Sequence, residues 1–248
     1  MNTAILGATR GIGRELARAM AARGDRLFLL GRDEADLAAS GRDLEARAGL
    51  PAGSVGAARC DLLEPETFAP ALDAATAALG PLEAVVVTAG LFATQEALEA
   101  DRELARRVLE ADFSGTVLFC EAARERLLTR QGGGTLCVFS SVAGERGRKP
   151  VVLYGAAKAG LSHYLEGLDH RFHGRGLRVV CIKPGFVRTS MTEGLPEPPF
   201  AADPEQIVPA VLRGIDRATP VVYAPGIWRW IMTVIRALPR FVMRRVGF

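Results

Sequence analysis

Asn2-Thr-Ala-Ile-Leu6 runs directly into Gly7-Ala-Thr9-Arg10-Gly11-Ile12-Gly13, and this stretch decides the fold. Residues 2–6 form a short apolar run expected to be a buried strand. From about Ile12 to Ala22 good helix formers continue until Gly24, which predicts a helix and its stop. A glycine-rich turn between strand and helix has a physical use. Glycines let the backbone approach a pyrophosphate, and the helix N-terminus adds free N–H groups and the positive end of its dipole. Gly7, Thr9, Arg10, Gly11, Ile12 and Gly13 are therefore expected to hold a dinucleotide, with the spacing GxxxGxG rather than GxGxxG.

Outward from this turn the pattern repeats. A second strand, Arg26–Leu30, ends in Gly31-Arg32. Folds that select NAD usually place an acid at that strand end to hold the ribose 2′-hydroxyl. Here glycine and arginine stand instead, and a guanidinium suits a 2′-phosphate. With Arg10 as a second cation, Arg32 favours NADP(H) over NAD(H). A polar helix over 34–48 leads to a third strand, Val55–Arg59, followed by Asp61-Leu62, and a further helix follows Pro65. The fourth strand, Glu83–Val87, ends in Thr88-Ala89-Gly90, where small residues would admit a ligand.

Residues 101–129 predict one long helix with a break near Ser114-Gly115, and Thr135–Phe139 predicts the fifth strand, with Ser140 and Ser141 at its tip. A helix carrying Tyr154 extends to about His173. Leu177–Ile182 is the sixth strand and runs into Lys183-Pro184-Gly185-Phe-Val187-Arg-Thr189. A Pro/Gly/Glu-rich loop follows over about 190–203, then a helix with Asp203 as cap and Pro204 at its first position, then a seventh strand, Val221–Ala224. Strands and helices alternate with no repeat and no linker. The expected fold is α/β: one doubly wound, Rossmann-type domain over 1–226, with a seven-stranded parallel sheet and helices on both faces. Residues 227–248 form a separate, basic amphipathic segment.

The chemistry centres on Tyr154 and Lys158. Four apart on a helix, they project from one face. An ammonium beside a phenol favours the phenolate, so the tyrosine pKa is expected below its usual value of about 10. A phenol so tuned can exchange a proton near neutral pH. The chain has only three lysines, Lys149, Lys158 and Lys183. All other cations are arginine, which is planar and does not titrate, so a lysine at 158 is a specific choice. Ser141, at the tip of a parallel strand, stands where open α/β sheets bind ligands, and its hydroxyl could hold a carbonyl or alcohol oxygen.

Composition narrows the classes. Of 248 residues, 49% are hydrophobic and 24% charged, as in a globular protein. The net charge of +3 is too small to argue for nucleic acid, and no such partner is expected. Its distribution is uneven: residues 227–248 hold Arg229, Arg236, Arg240, Arg244 and Arg245 and no acid, which leaves −2 on the rest. Cys60, Cys120, Cys137 and Cys181 stand far apart and are expected to be buried free thiols in a reducing cytoplasm. No signal peptide and no apolar stretch of membrane-spanning length is found. His163, His170 and His173 lie along one helix without a completing acid or cysteine pattern, so no metal site is expected.

With these motifs in place, the chain resembles the short-chain dehydrogenase/reductases along its whole length. Gly7, Gly11 and Gly13 resemble that family's glycine turn, and Asp61-Leu62 the pair that touches adenine. Ala89-Gly90 resembles the end of its NNAG turn, and Pro184, Gly185, Val187 and Thr189 the segment beside the nicotinamide. Ser141 stands thirteen residues before Tyr154, as the family's catalytic serine does. The resemblance implies hydride transfer between a nicotinamide and a carbonyl or carbinol carbon. In it Tyr154 exchanges the proton, Ser141 bonds the oxygen, and Lys158 binds the nicotinamide ribose and lowers the tyrosine pKa. It also implies a homodimer or homotetramer built through the two long helices. Three features depart from the family: Leu6 replaces the usual threonine, Val87-Thr88 replace the asparagines, and Asp112 stands where an asparagine completes the catalytic tetrad. An aspartate there is expected to pair directly with Lys158.

A closer likeness lies in Ser140–Arg148, Tyr154–Leu161 and the tail from Tyr223, which are similar to the reductases of decaprenylphosphoryl-2-keto-ribose. It implies a bulky apolar or lipid-linked substrate, a keto-sugar or a long-chain ketone. Reduction of 3-oxoacyl or small ketones is the alternative. A degenerate dinucleotide sensor or scaffold is a third reading, suggested by Asp112. The tail mixes apolar residues with arginine over 227–238 and is broken at Pro239, a pattern suited to a membrane surface, or to packing over the substrate pocket or against another subunit. The expected location is cytoplasmic, with peripheral contact on the inner face of the membrane.

Overall fold

Seven short segments of mostly small and apolar residues form the sheet: β1 (Asn2–Leu6), β2 (Arg26–Gly31), β3 (Gly56–Arg59), β4 (Ala84–Val87), β5 (Thr135–Phe139), β6 (Arg178–Pro184) and β7 (Val221–Ala224). They come from a computed structural model that describes residues 1–247; Phe248, the last residue of the expected tail, lies outside it. All six pairings are parallel and the strand order is 3-2-1-4-5-6-7. The order reverses between β1 and β4, which opens a crevice at their C-terminal ends.

Alternation along the strands feeds two cores. On one face Ala4, Leu6, Phe28, Val85 and Val138 pack against α3 (Phe68–Leu79), α6 (Thr116–Thr129) and α7 (Val152–Phe172). On the other, Ile5, Leu29, Val86 and Ile182 meet α1 (Gly11–Ala22), α2 (Glu34–Ala48) and α8 (Pro204–Asp216). The expected capping of α8 is present: Pro204 opens it, and Gln206 Oε1 accepts from the Asp203 N–H at 2.8 Å. All four cysteines are buried and unpaired.

The segment over 101–129 is helical without interruption from Arg102 to Thr129, with a change of pitch at the expected break. A short α4 (Gln95–Ala100), capped by Thr94, precedes α5 (Arg102–Leu109), and a π-helical turn over Glu110–Gly115 then leads into α6. The wider turn falls beside the predicted break and carries Asp112, in keeping with the frequency of π-turns at functional sites. Gly115 lies tight against the Leu62 carbonyl, with no room for a side chain. The third strand starts one residue later than expected, because the Val55 N–H is taken by Glu45 Oε1 at 2.9 Å. The fourth starts at Ala84, where the Glu83 carboxylate instead accepts from the Asn2 N–H.

The tail forms α9 (Ile227–Ala237) and, after Pro239, α10 (Arg240–Met243). Trp228, Met232 and Ile235, at helical spacing, make a third small core with Val142. Among the described residues no helix is long and apolar enough to cross a membrane.

Candidate active site

The glycine turn is shaped by its neighbours. Gly7 has φ +99°, and a side chain there would meet Ala89 N at 2.6 Å, so only glycine lets β1 turn against the end of β4. Thr88 closes the contact: its hydroxyl lies 3.1 Å from Leu6 O and 3.0 Å from Gly7 O, donating to that pair of carbonyls. The departure from the family pattern at this position thus has a defined role in tying β4 to the turn. A Cβ on Gly11 would lie 3.1 Å from Thr189 Cγ2, so the turn faces the segment after β6. Asp61 is held at the end of β3, its carboxylate accepting from Leu63 N at 3.0 Å, and Leu62 is buried beside it.

Arg10 and Arg32 stand apart from this group. Arg10 Nη2 donates to Asp36 Oδ2 at 2.8 Å on the exposed side of the turn, and Arg32 is exposed. β2 ends in the buried Gly31, and the nearby Asp33 carboxylate accepts from Asp36 N as the cap of α2. The strand end itself thus carries glycine and then arginine, and the nearest carboxylate, Asp33, caps α2 through one oxygen. A cleft of about 670 Å³ runs past Thr9, Arg10, Gly11, Asp36 and Thr189.

Across the crevice, Ser140 and Ser141 part company. Ser140 is buried and bonds Lys158 O at 3.0 Å and Ser162 Oγ at 2.7 Å, which pins β5 to α7. Ser141 Oγ accepts from Ala143 N at 3.1 Å and stays beside the Tyr154 phenol. Tyr154 is half-buried, edge-on to Phe92 with ring centroids 5.1 Å apart. Lys158 Nζ lies 5.7 Å from the tyrosine ring, donates to Phe139 O at 3.3 Å, and meets Asp112 Oδ1 at 3.2 Å. Lys158 and Asp112 are both buried. Asp112 Oδ1 also accepts from Leu91 N at 3.1 Å, while Asp112 Oδ2 is buried without a partner. The expected ion pair is present.

The electrostatics correct one expectation. Burial raises the Tyr154 pKa above its ordinary value, and Asp112 adds to that rise. Lys158 and Ser141 pull the other way without reversing it. The sequence argument considered the lysine alone; Asp112 offsets part of its field, and desolvation outweighs the remainder. Burial draws the Lys158 pKa down, yet Asp112 and Tyr154 beside it carry it above the usual lysine value. Burial likewise raises Asp112, against the pull of Lys158.

On the outer side, Gly185 packs beneath Trp228, and any Cβ there would overlap the indole. Glu145, a side chain only 2% exposed, accepts from Lys183 Nζ at 2.6 Å and Tyr223 Oη at 2.8 Å, with Arg236 Nε 3.5 Å from Oε2. Val187 is buried and pairs with Ala202 across the base of the 190–203 loop, with its carbonyl accepting from Thr192 Oγ1 at 2.7 Å. Phe92, the Phe139 carbonyl and Glu145 went unnoticed in the sequence. The first two carry no local signal. Glu145 sits four residues after Ser141 but finds its partners on β6, β7 and α9.

Gly7, Gly90, Asp112, Ser141, Tyr154, Lys158, Pro184 and Gly185 thus belong to segments that meet at one end of the sheet. The short chain dehydrogenase family model matches residues 2–199. The chain is 34% identical, over 98% of its length and 95% of the other, to an uncharacterized oxidoreductase of Mycobacterium tuberculosis. It is 30% identical, over 78% of both, to carbonyl reductase family member 4 of Danio rerio. A short chain dehydrogenase from Burkholderia cenocepacia, solved in complex with NADP, superposes with a TM-score of 0.83 at 24% identity, over 98% of this chain and 95% of that one. The chain belongs to the short-chain dehydrogenases. It is an oxidoreductase built on their nicotinamide-dinucleotide fold, and its glycine turn fits that cofactor: with no Cβ at Gly7 and Gly13 the start of α1 packs directly on the end of β1, at the switch point where a helix N-terminus can meet a pyrophosphate.

Proposed function

We propose that this protein interconverts a ketone and a secondary alcohol with NADP(H), using Tyr154 as general acid and base. The observation that carries the reading is the buried Lys158 between Tyr154 and Asp112, with Ser141 beside the phenol. The bound dinucleotide would supply or accept the hydride. Gly7, Thr9, Gly11, Ile12 and Gly13 would hold its pyrophosphate, Asp61-Leu62 its adenine, and Ala89, Gly90, Pro184, Gly185, Val187 and Thr189 its nicotinamide half. Arg32 and Arg10 would meet a 2′-phosphate. Arg10 would exchange Asp36 for it, an exposed ion pair that costs little to break.

Reduction needs a proton at the new alkoxide. Tyr154 gives it, and its raised pKa keeps the phenol protonated at neutral pH, the form required for that direction. Ser141 donates a hydrogen bond to the same oxygen. Lys158 keeps positive charge beside the phenolate that forms, where burial strengthens its effect. Asp112 holds that ammonium in place and limits how far it lowers the phenol.

The substrate we infer is bulky and apolar or lipid-linked. Val142, directly after Ser141, and Gly185 both pack on the inner face of α9, which supports a pocket walled by the tail. Exposed Leu109, Phe113 and Leu118 on the α5–α6 segment are consistent with a homodimer or homotetramer formed there. Tyr154→Phe tests the reading. Turnover of a long-chain ketone with NADPH should fall by ~10²–10⁴ while NADPH binding persists. Unchanged turnover would remove Tyr154 from the chemistry, and absence of NADPH binding by the parent protein would favour a scaffold.

A further inference from the structure

Helix α9 has two apolar faces and only one of them is used. Trp228, Met232 and Ile235 point inward and are buried. Ile227, Trp230 and Val234 are also spaced three and four apart, on a stripe offset by one residue, roughly 100° around the helix. They are 45%, 69% and 63% exposed, and Phe241 on α10 is 60% exposed. A tryptophan and three large apolar side chains over fifteen residues are too concentrated to be ordinary scatter.

The charges around this stripe identify what would cover it. Arg229, Arg240, Arg244 and Arg245 are exposed, and among the described residues none of them meets a carboxylate. Only Arg236 is matched, by Glu145. The segment carries five positive charges and no acid. A second copy of the chain docking through the same face would bring two such segments together, and like charges oppose that contact. An anionic bilayer supplies both terms at once: headgroups for the guanidinium groups, and an interfacial layer for tryptophan and valine. At 11 residues α9 reaches only about 17 Å, so it can lie in the interface but not cross it.

The face is also held in a fixed orientation. Arg146 Nη2 donates to Leu238 O at 2.7 Å at the end of α9, Glu145 meets Arg236, and Trp228 is wedged on Gly185. We infer that α9 and α10 form a preorganised docking surface for an anionic membrane, with Ile227, Trp230 and Val234 inserted and the arginines on headgroups. The loop that straps α9 runs from Ser141 to Tyr154, so docking sets the mouth of the site at the bilayer surface. That last step rests on the proposed lipid-like substrate; the docking itself does not.

The test is co-sedimentation of the full chain with vesicles, without substrate. Vesicles of phosphatidylcholine with about one third phosphatidylglycerol should pellet the protein at moderate salt, and pure phosphatidylcholine should not. Trp230→Glu with Val234→Glu should weaken anionic-vesicle binding at least tenfold, with circular dichroism and NADPH affinity unchanged. Brominated acyl chains should quench Trp230 in the parent but not the remaining, buried Trp228 in Trp230→Phe. Failure to pellet with anionic vesicles, or equal binding by the double variant, would overturn the assignment. So would an oligomer that falls apart in the double variant while the parent ignores vesicles, because the face would then belong to a second copy. Ketone reduction by a protein that does not bind vesicles would leave the proposed reaction standing and remove only the docking.

Discussion

Two of the three lysines are held against carboxylates, Lys158 buried and Lys183 partly exposed, and the two pairs behave oppositely. Lys183 meets Glu145 at 2.6 Å, and Glu145 has Tyr223 and Arg236 as further partners. Lys158 meets Asp112 at a longer 3.2 Å; Asp112 has one backbone N–H besides, and its second oxygen has no partner. Burial raises both carboxylates, but Lys183, Tyr223 and Arg236 bring Glu145 below its ordinary pKa, whereas Asp112 stays above it. A carboxylate with two hydrogen bonds on Oε1 and a guanidinium 3.5 Å from Oε2 is a fixed anion, although Oε2, like Asp112 Oδ2, accepts no hydrogen bond. One with a single strong partner is under strain, and here it sits beside the phenol proposed to move a proton. The first pair ties the tail to the site loop; the second adjusts the site.

Removing a lysine separates the pairs most sharply. Lys158→Met should leave Asp112 buried without a counter-ion and cost ~3–5 kcal/mol in urea unfolding. Adding Asp112→Asn should return most of that loss. A cost below about 1 kcal/mol for the single variant would mean that Asp112 already holds a proton in the folded protein, and the contrast would become one of protonation rather than strain.

Glu145→Gln is expected to do less, because an amide oxygen still accepts from Lys183 or Tyr223. The loss should be ~1–3 kcal/mol. Its pH dependence carries the sign. Glu145 is depressed in the folded state, so its contribution is complete above the unfolded carboxylate value of about 4.3 and is lost as pH falls through the lower folded value. The parent's advantage over Glu145→Gln should therefore be flat near neutrality and vanish on acidification. Asp112 is raised, so acidification should relieve it, and Asp112→Asn should show no such gain. Parallel pH curves for the two variants would abolish the distinction.

Sequence legibility divides along the same line. The seven strands, the glycine turn, Ser141, Tyr154 and Lys158 declare themselves through local pattern, because a period, a capping residue or an i,i+4 spacing acts within one segment. Asp112 was visible only as a departure from the family, and its pairing with Lys158 followed from chemistry. The π-turn that carries it was foreshadowed by Ser114-Gly115 but not identified as such. Glu145 had no local signal, since its partners come from three elements up to 91 positions away. The direction of the Tyr154 shift was lost for a related reason. The spacing displays the lysine, but desolvation depends on everything packed around it.

The smallest effect bears most directly on mechanism. Asp112→Asn keeps the volume and a hydrogen-bonding oxygen for Leu91 N while removing the negative charge next to Lys158. In the parent that charge adds to the rise in the Tyr154 pKa, so its loss should move the tyrosine downward. Oxidation of an alcohol needs the phenolate, and reduction needs the phenol. In the variant, the alkaline rise of kcat for oxidation should therefore begin at lower pH, and reduction should fail earlier as pH increases. The same change takes from Lys158 the partner that raises its pKa, so the ammonium would also be lost at lower pH. That would narrow the range in which the phenolate is supported. A profile identical to the parent's, with stability preserved, would show that Asp112 is as inert toward the phenol as Glu145, and the two pairs would then differ in geometry alone.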